Sequence, residues 1–153
     1  MSELAATEVE VLRLAGLRKS YALGTAVETE VLHGIDLTLL QQDFAALIGP
    51  SGSGKSTLLN LLGLLDTPTA GELYLLGRPT SAMDDDARTA LRGSTIGFVF
   101  QFHHLLPAFT ALENVLLPRM LGHGRPQSAD VALAGDLLAD VGLSEFAERK
   151  PSQ

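Results

Sequence analysis

The sequence contains no cysteine, which excludes disulfides and thiolate chemistry and suits a reducing compartment. It is short of positive charge: 11 Lys and Arg stand against 18 Asp and Glu, for a formal net charge of -7. No basic run interrupts that balance, so a direct nucleic-acid partner is not expected. The longest apolar runs fall far short of a membrane span. The start, Met1-Ser2-Glu3-Leu4, lacks the basic-then-apolar order of a secretory leader. Internal repeats and low-complexity tracts are also absent. The 153 residues are enough for one domain with a real core. The expectation is a soluble, cytoplasmic domain that reaches a membrane only through a partner.

What is present centres on Gly49-Pro50-Ser51-Gly52-Ser53-Gly54-Lys55-Ser56-Thr57, which fits the phosphate-loop pattern G-x-x-x-x-G-K-[ST]. Its flanks suit the motif: Phe44–Ile48 reads as a short buried strand, and Thr57–Leu62 as the start of a helix. The glycines let the backbone turn tightly and aim N–H groups inward. The helix that follows adds free N–H groups and the positive end of its dipole. Lys55 can reach the β- and γ-phosphates, Ser56 can hold Mg²⁺, and Thr57 can touch the α-phosphate. A Gly/Ser-rich turn with a chance lysine would need motif and flanks to coincide by accident.

Residues 1–8 look like a loose acidic leader, and the pattern from Val9 to Tyr21 suggests a strand. Residues 22–30 form a loop or hairpin, and Ile35, Leu37 and Leu39 alternate with polar neighbours in a second extended stretch. The 66–71 stretch is a turn cluster, and Glu72–Leu76 a short strand. Asp84-Asp85-Asp86 is better read as capping a helix than as a metal cluster. Ile96–Phe100 reads as a compact apolar strand closed by Gln101. Thr110 and Glu113 make a capping box, so a helix begins near Ala111, with Pro118 inside it. After the break at 122–126, Val131, Ala134, Leu138 and Val141 recur at helical spacing. Adjacent His103 and His104 have no third ligand at suitable spacing, so they read as surface or interface residues. Phe109 and Leu106 read as packing residues.

Taken together, these motifs resemble the ATP-binding subunits of ABC transporters, over nearly the whole chain. The resemblance implies an α/β fold, a P-loop NTPase nucleotide-binding domain of ABC type. Residues 1–107 would be the β-rich region and phosphate-loop core, and 108–150 the start of a helical subdomain. Tyr21 sits where the family's aromatic stacks on adenine, and Gly49–Thr57 matches its Walker A motif. Gln101 matches the glutamine that meets Mg²⁺ or the water near the γ-phosphate and couples the site to the membrane partner. ATP and Mg²⁺ are the implied cofactors, with Lys55 and Gln101 serving catalysis and Ser56 and Gln101 the metal. Transmembrane transporter subunits and a second ATP-binding subunit are the implied partners, at the cytoplasmic face of a bacterial inner membrane.

The stretch from Phe100 to Val115 resembles the lipoprotein-releasing branch, whose pattern the macrolide-exporter and cell-division ATPases largely share. The family's signature motif would begin where the sequence ends, at Lys150-Pro151-Ser152-Gln153. Its Walker B aspartate, catalytic glutamate and switch histidine are therefore not expected within these residues. The expectation is a segment that binds nucleotide without turnover and leaves apolar surface and strand edges open. A non-catalytic nucleotide-sensing module is the competing class. A kinase or GTPase on the same loop is disfavoured by Gln101 and by the lack of an N-K-x-D motif.

Overall fold

The computed structural model describes residues 9–100 and 104–152. The expected acidic leader, together with Gln101 and His103, lies outside the described residues. The contacts divide the chain into two units, 1–98 and 99–153.

The first unit is built on two long strands, β1 (Glu10–Tyr21) and β2 (Thr29–Leu40). They pair antiparallel through the exposed turn at 22–28, in which Gly24 is left-handed. The helix α1 (Lys55–Leu62) follows the phosphate loop. Then come β3 (Ala70–Leu75), the short β4 (Arg78–Pro79) and the helix α2 (Asp85–Thr95). The four strands form one antiparallel sheet in the order β2-β1-β3-β4. Alternation along β1 sends Leu12 and Leu14 inward and, past a register shift, Leu17. They meet Leu32 of β2, Leu58 and Leu61 of α1, and Leu73 and Leu75 of β3 in one core. Leu91 of α2 joins the same core. The helix α2 starts where the acidic triplet implies: the Asp84 carboxylate accepts the Ala87 N–H at 2.8 Å.

Two expected strands are not formed. Neither 44–48 nor 96–100 is extended into a ladder, and the expected buried strand at Phe44–Ile48 is open: Phe44 is 99% exposed and Ile48 88%. The composition was right for a buried strand, but a strand is not self-sufficient. Its N–H and C=O groups are satisfied only by a neighbour, and among the described residues no strand pairs with either segment. The apolar surface expected for an incomplete parallel sheet is thus present, while the sheet that does form is antiparallel.

The second unit contains α3 (Ala111–His123), α4 (Ser128–Asp140) and a 3₁₀ turn at Ser144–Phe146. The Thr110/Glu113 capping box is complete: Thr110 Oγ1 accepts the Glu113 N–H, and Glu113 accepts the Thr110 N–H at 2.8 Å. Asn114 fastens the preceding loop, accepting the Leu106 N–H and donating to the Thr110 carbonyl, both at 2.8 Å. Leu106 itself is exposed rather than packed, while Phe109 is half-buried. An ion pair at 2.9 Å between Arg119 and Asp130 joins α3 to α4, beside the packed Leu116, Ala134 and Leu138.

Candidate functional site

The phosphate loop leads into α1 without a side-chain cap. Gly54 occupies the N-cap position with left-handed backbone (φ 86°), and no side-chain oxygen accepts from the helix's first N–H groups. No acidic residue lies in that first turn, so nothing on the helix offsets the positive end of its dipole. This arrangement favours a bound anion at that end. The loop is also packed closely from below. A Cβ on Gly54 would lie 2.9 Å from Leu32 Cδ2 and 3.3 Å from the Val31 carbonyl oxygen. Gly52 is left-handed too, with open space around it. Only glycine adopts both conformations without strain.

Lys55 folds back over this loop. Its Nζ donates to the carbonyl oxygens of Gly49 (2.8 Å) and Pro50 (2.6 Å) and lies 3.5 Å from Ser53 Oγ. The ammonium is therefore held at the loop it would serve. Ser56 stands exposed in the first turn beside half-buried Thr57. Val31, Ser51, Gly52 and the run from Gly54 to Thr57 border a cavity of about 250 Å³. Beneath the loop, Leu32, Ile35, Leu47 and Ile48 border a second hollow of about 260 Å³. The donor set fits a phosphate group with Mg²⁺: backbone N–H groups, one ammonium and a free hydroxyl, with no carboxylate in the first turn to oppose an anion.

Tyr21 lies at the end of β1 and is 42% exposed. Its hydroxyl donates to Asp66 Oδ2 at 3.4 Å, and Lys19 Nζ stands 5.0 Å from the ring centroid. Burial works to raise the Asp66 carboxyl. The Lys19 ammonium, the Thr67 N–H and the Tyr21 hydroxyl outweigh it and hold that group below the usual carboxylate range. Sequence reasoning missed Lys19 and Asp66, which are 47 positions apart. In sequence Lys19 is a charged residue within the Val9–Tyr21 stretch and Asp66 opens the 66–71 turn cluster, and no short-range pattern links them. Gln101 is outside the described residues, so its expected place near the γ-phosphate has no structural account. Among the described residues no cluster of His, Asp and Glu is arranged to hold a metal. His104 packs edge-on against Phe100, with ring centroids 4.9 Å apart.

The ABC transporter family profile matches residues 32–153. The chain belongs to the ABC transporter family. Among curated relatives, the lipoprotein-releasing system ATP-binding protein LolD 1 of Rhodopseudomonas palustris is 59% identical over 137 residues, covering 90% of this chain and 61% of that protein. LolD of Anaeromyxobacter dehalogenans is 56% identical over 154 residues, covering 100% of this chain and 63% of that protein. The chain thus spans about three fifths of the length of the curated relatives it matches. Among solved structures, the ATP-binding cassette MJ0796, in a dimeric post-hydrolysis state bound to ADP and phosphate, matches with a TM-score of 0.83 at 39% identity. That match covers 93% of this chain and 62% of the cassette. The fold is that of an ABC nucleotide-binding domain, and the sequence resembles the lipoprotein-releasing ATPases within the family.

Proposed function

We propose that this chain is the ATP-binding portion of an ABC transporter ATPase of the lipoprotein-releasing type. The observation that carries the reading is the uncapped start of α1 beneath a glycine loop, with Lys55 already gathered to it. A cavity of about 250 Å³ is small beside the roughly 300–1,000 Å³ of sites that enclose a whole drug-sized ligand. It suits the phosphates, and the base is left to meet a surface outside it. Tyr21 serves as that surface by stacking on adenine. Residues 49–57 hold the phosphates, with Lys55 toward the β- and γ-groups, Ser56 as the Mg²⁺ ligand and Thr57 at the α-phosphate. Mg²⁺, when bound, supplies charge neutralisation at the phosphates. Gln101 completes the metal side and couples the site to the membrane partner.

Among the described residues no helix is long and apolar enough to cross a membrane. The proposed link to the cytoplasmic face of the inner membrane runs through separate transmembrane subunits, with a second ATP-binding subunit facing the first. The names of the LolD relatives support the lipoprotein cargo, and the dimeric cassette supports the pairing. Residues 1–153 by themselves bind nucleotide without turnover, because the resemblance assigns no Walker B carboxylate or catalytic glutamate to them. The test is Mg²⁺-ATP binding and turnover by 1–153, with Lys55→Ala alongside. Binding that is lost in Lys55→Ala, with turnover at background, is expected. Turnover that Lys55→Ala abolishes would mean that another residue supplies the catalytic carboxylate. Undiminished binding in Lys55→Ala would remove the phosphate-loop reading itself.

A further inference from the structure

We propose that Lys19 and Asp66 are positioning residues for Tyr21, joining the base end of the nucleotide site to the helix that carries its phosphate end. The proposal rests on the reading of Tyr21 as the adenine-stacking residue.

Lys19 is only 7% exposed on β1, and a buried ammonium is tolerated only when paired and hydrogen-bonded. Its Nζ donates to Asp66 Oδ1 at 2.6 Å and to the Thr67 carbonyl at 2.8 Å. Asp66 in turn accepts the Thr67 N–H at 2.7 Å and the Tyr21 hydroxyl at 3.4 Å. The grip continues along the strand. The Thr69 N–H donates to the Arg18 carbonyl at 2.9 Å, and the Ser20 N–H donates to Thr69 Oγ1 at 3.1 Å. The turn 66–69 therefore clasps β1 from Arg18 to Tyr21.

That turn follows the C-terminal end of α1, and the phosphate loop enters the N-terminal end of the same helix. One rigid helix thus has the phosphate nest at one end and the clasp on the Tyr21 strand near the other. Beyond Tyr21 the strand ends and the chain bends at Ala22, whose backbone is left-handed (φ 54°), so the clasp holds the last strand residues before the chain turns away. Lys19 also takes one side of the Tyr21 ring, within cation–π range, and the ring keeps exposed area for a planar partner.

The test compares Mg²⁺-ATP with Mg²⁺-tripolyphosphate, which carries phosphates but no base, as ligands of the full chain. Tyr21→Ala is expected to weaken ATP about tenfold and leave tripolyphosphate unchanged, the usual scale for one base–aromatic stack. Asp66→Asn is expected to reproduce most of that selective loss, about three- to tenfold. Thr69→Val removes only the exposed hydroxyl grip, so it tests the clasp even if Asp66→Asn fails to fold. It is expected to cost a factor of about two to three, selectively for ATP. If Tyr21→Ala leaves ATP affinity unchanged, the stacking reading fails, and this proposal with it. If Tyr21→Ala weakens ATP but Asp66→Asn and Thr69→Val do not, the stacking reading stands and the clasp is overturned. Equal weakening of both ligands by the clasp variants also overturns it, because that is the mark of a general structural role.

Discussion

Gly54 connects the stability of the fold to the shape of the phosphate site, and Gly54→Ala measures both. The backbone there is left-handed (φ 86°), which costs a non-glycine residue about 1–2 kcal/mol. The new methyl would also stand 2.9 Å from Leu32 Cδ2, 3.2 Å from Val31 Cγ1 and 3.3 Å from the Val31 carbonyl. Leu32 is 4% exposed and belongs to the core, so it cannot swing away, and overpacking of this kind costs about 1–3 kcal/mol. The lower entropy of the unfolded chain offsets about 0.4–1 kcal/mol, for a net loss of about 1–4.5 kcal/mol. Gly52→Ala is the matched control. Its φ of 80° carries the same backbone strain, but nothing lies within 4 Å of an added Cβ, so a net loss of about 0–1.5 kcal/mol is expected. Urea unfolding of both variants, with ATP affinity measured beside it, reads the two effects apart. If Gly54→Ala is no more destabilising than Gly52→Ala, the close approach of β2 beneath the loop is not what demands glycine there. If neither variant weakens ATP, the loop is not the phosphate nest.

Two further outcomes test the core and its polar fastenings. Leu61, 1% exposed at the centre of the core, should cost about 2–5 kcal/mol as Leu61→Ala. Phe44→Ala, at a 99% exposed position, should stay within about 0.5 kcal/mol, and equal losses would contradict the observed packing of the 44–48 segment. Acid unfolding tests Asp66 and Glu72, both held below their ordinary values of 3.8 and 4.5. Burial works to raise Glu72, but the Ser81 hydroxyl and the N–H groups of Ser81, Thr80 and Leu73 outweigh it. Because the unfolded chain takes up these protons first, both groups stabilise the fold fully above their ordinary values. That contribution disappears as the pH falls through the lower folded values. The unfolding midpoint should therefore change little between about pH 7 and 5 and drop below about pH 4. Asp66→Asn and Glu72→Gln should each flatten that drop, and an unchanged acid limb in both would show that these bonds do not set it.

Features whose partners lie close in the chain can be read from the residues alone. The glycine spacing from Gly49 to Gly54, the cap by Asp84 and the box between Thr110 and Glu113 each close over a few residues, so composition and spacing specify them. The hairpin of β1 and β2 was legible for the same reason, as two extended runs joined by a loop or hairpin at residues 22–30. Features that depend on a distant partner emerge only in the folded chain. The apolar runs at 44–48 and 96–100 have strand composition, yet a ladder needs a second strand, and no described one pairs with them. Lys19 and Asp66 meet only because β3 pairs with β1, bringing the turn after α1 against the end of β1. Each is an ordinary charged residue in sequence. Burial of the ammonium makes the pairing obligatory, and that burial exists only once the strands and helix have closed over it.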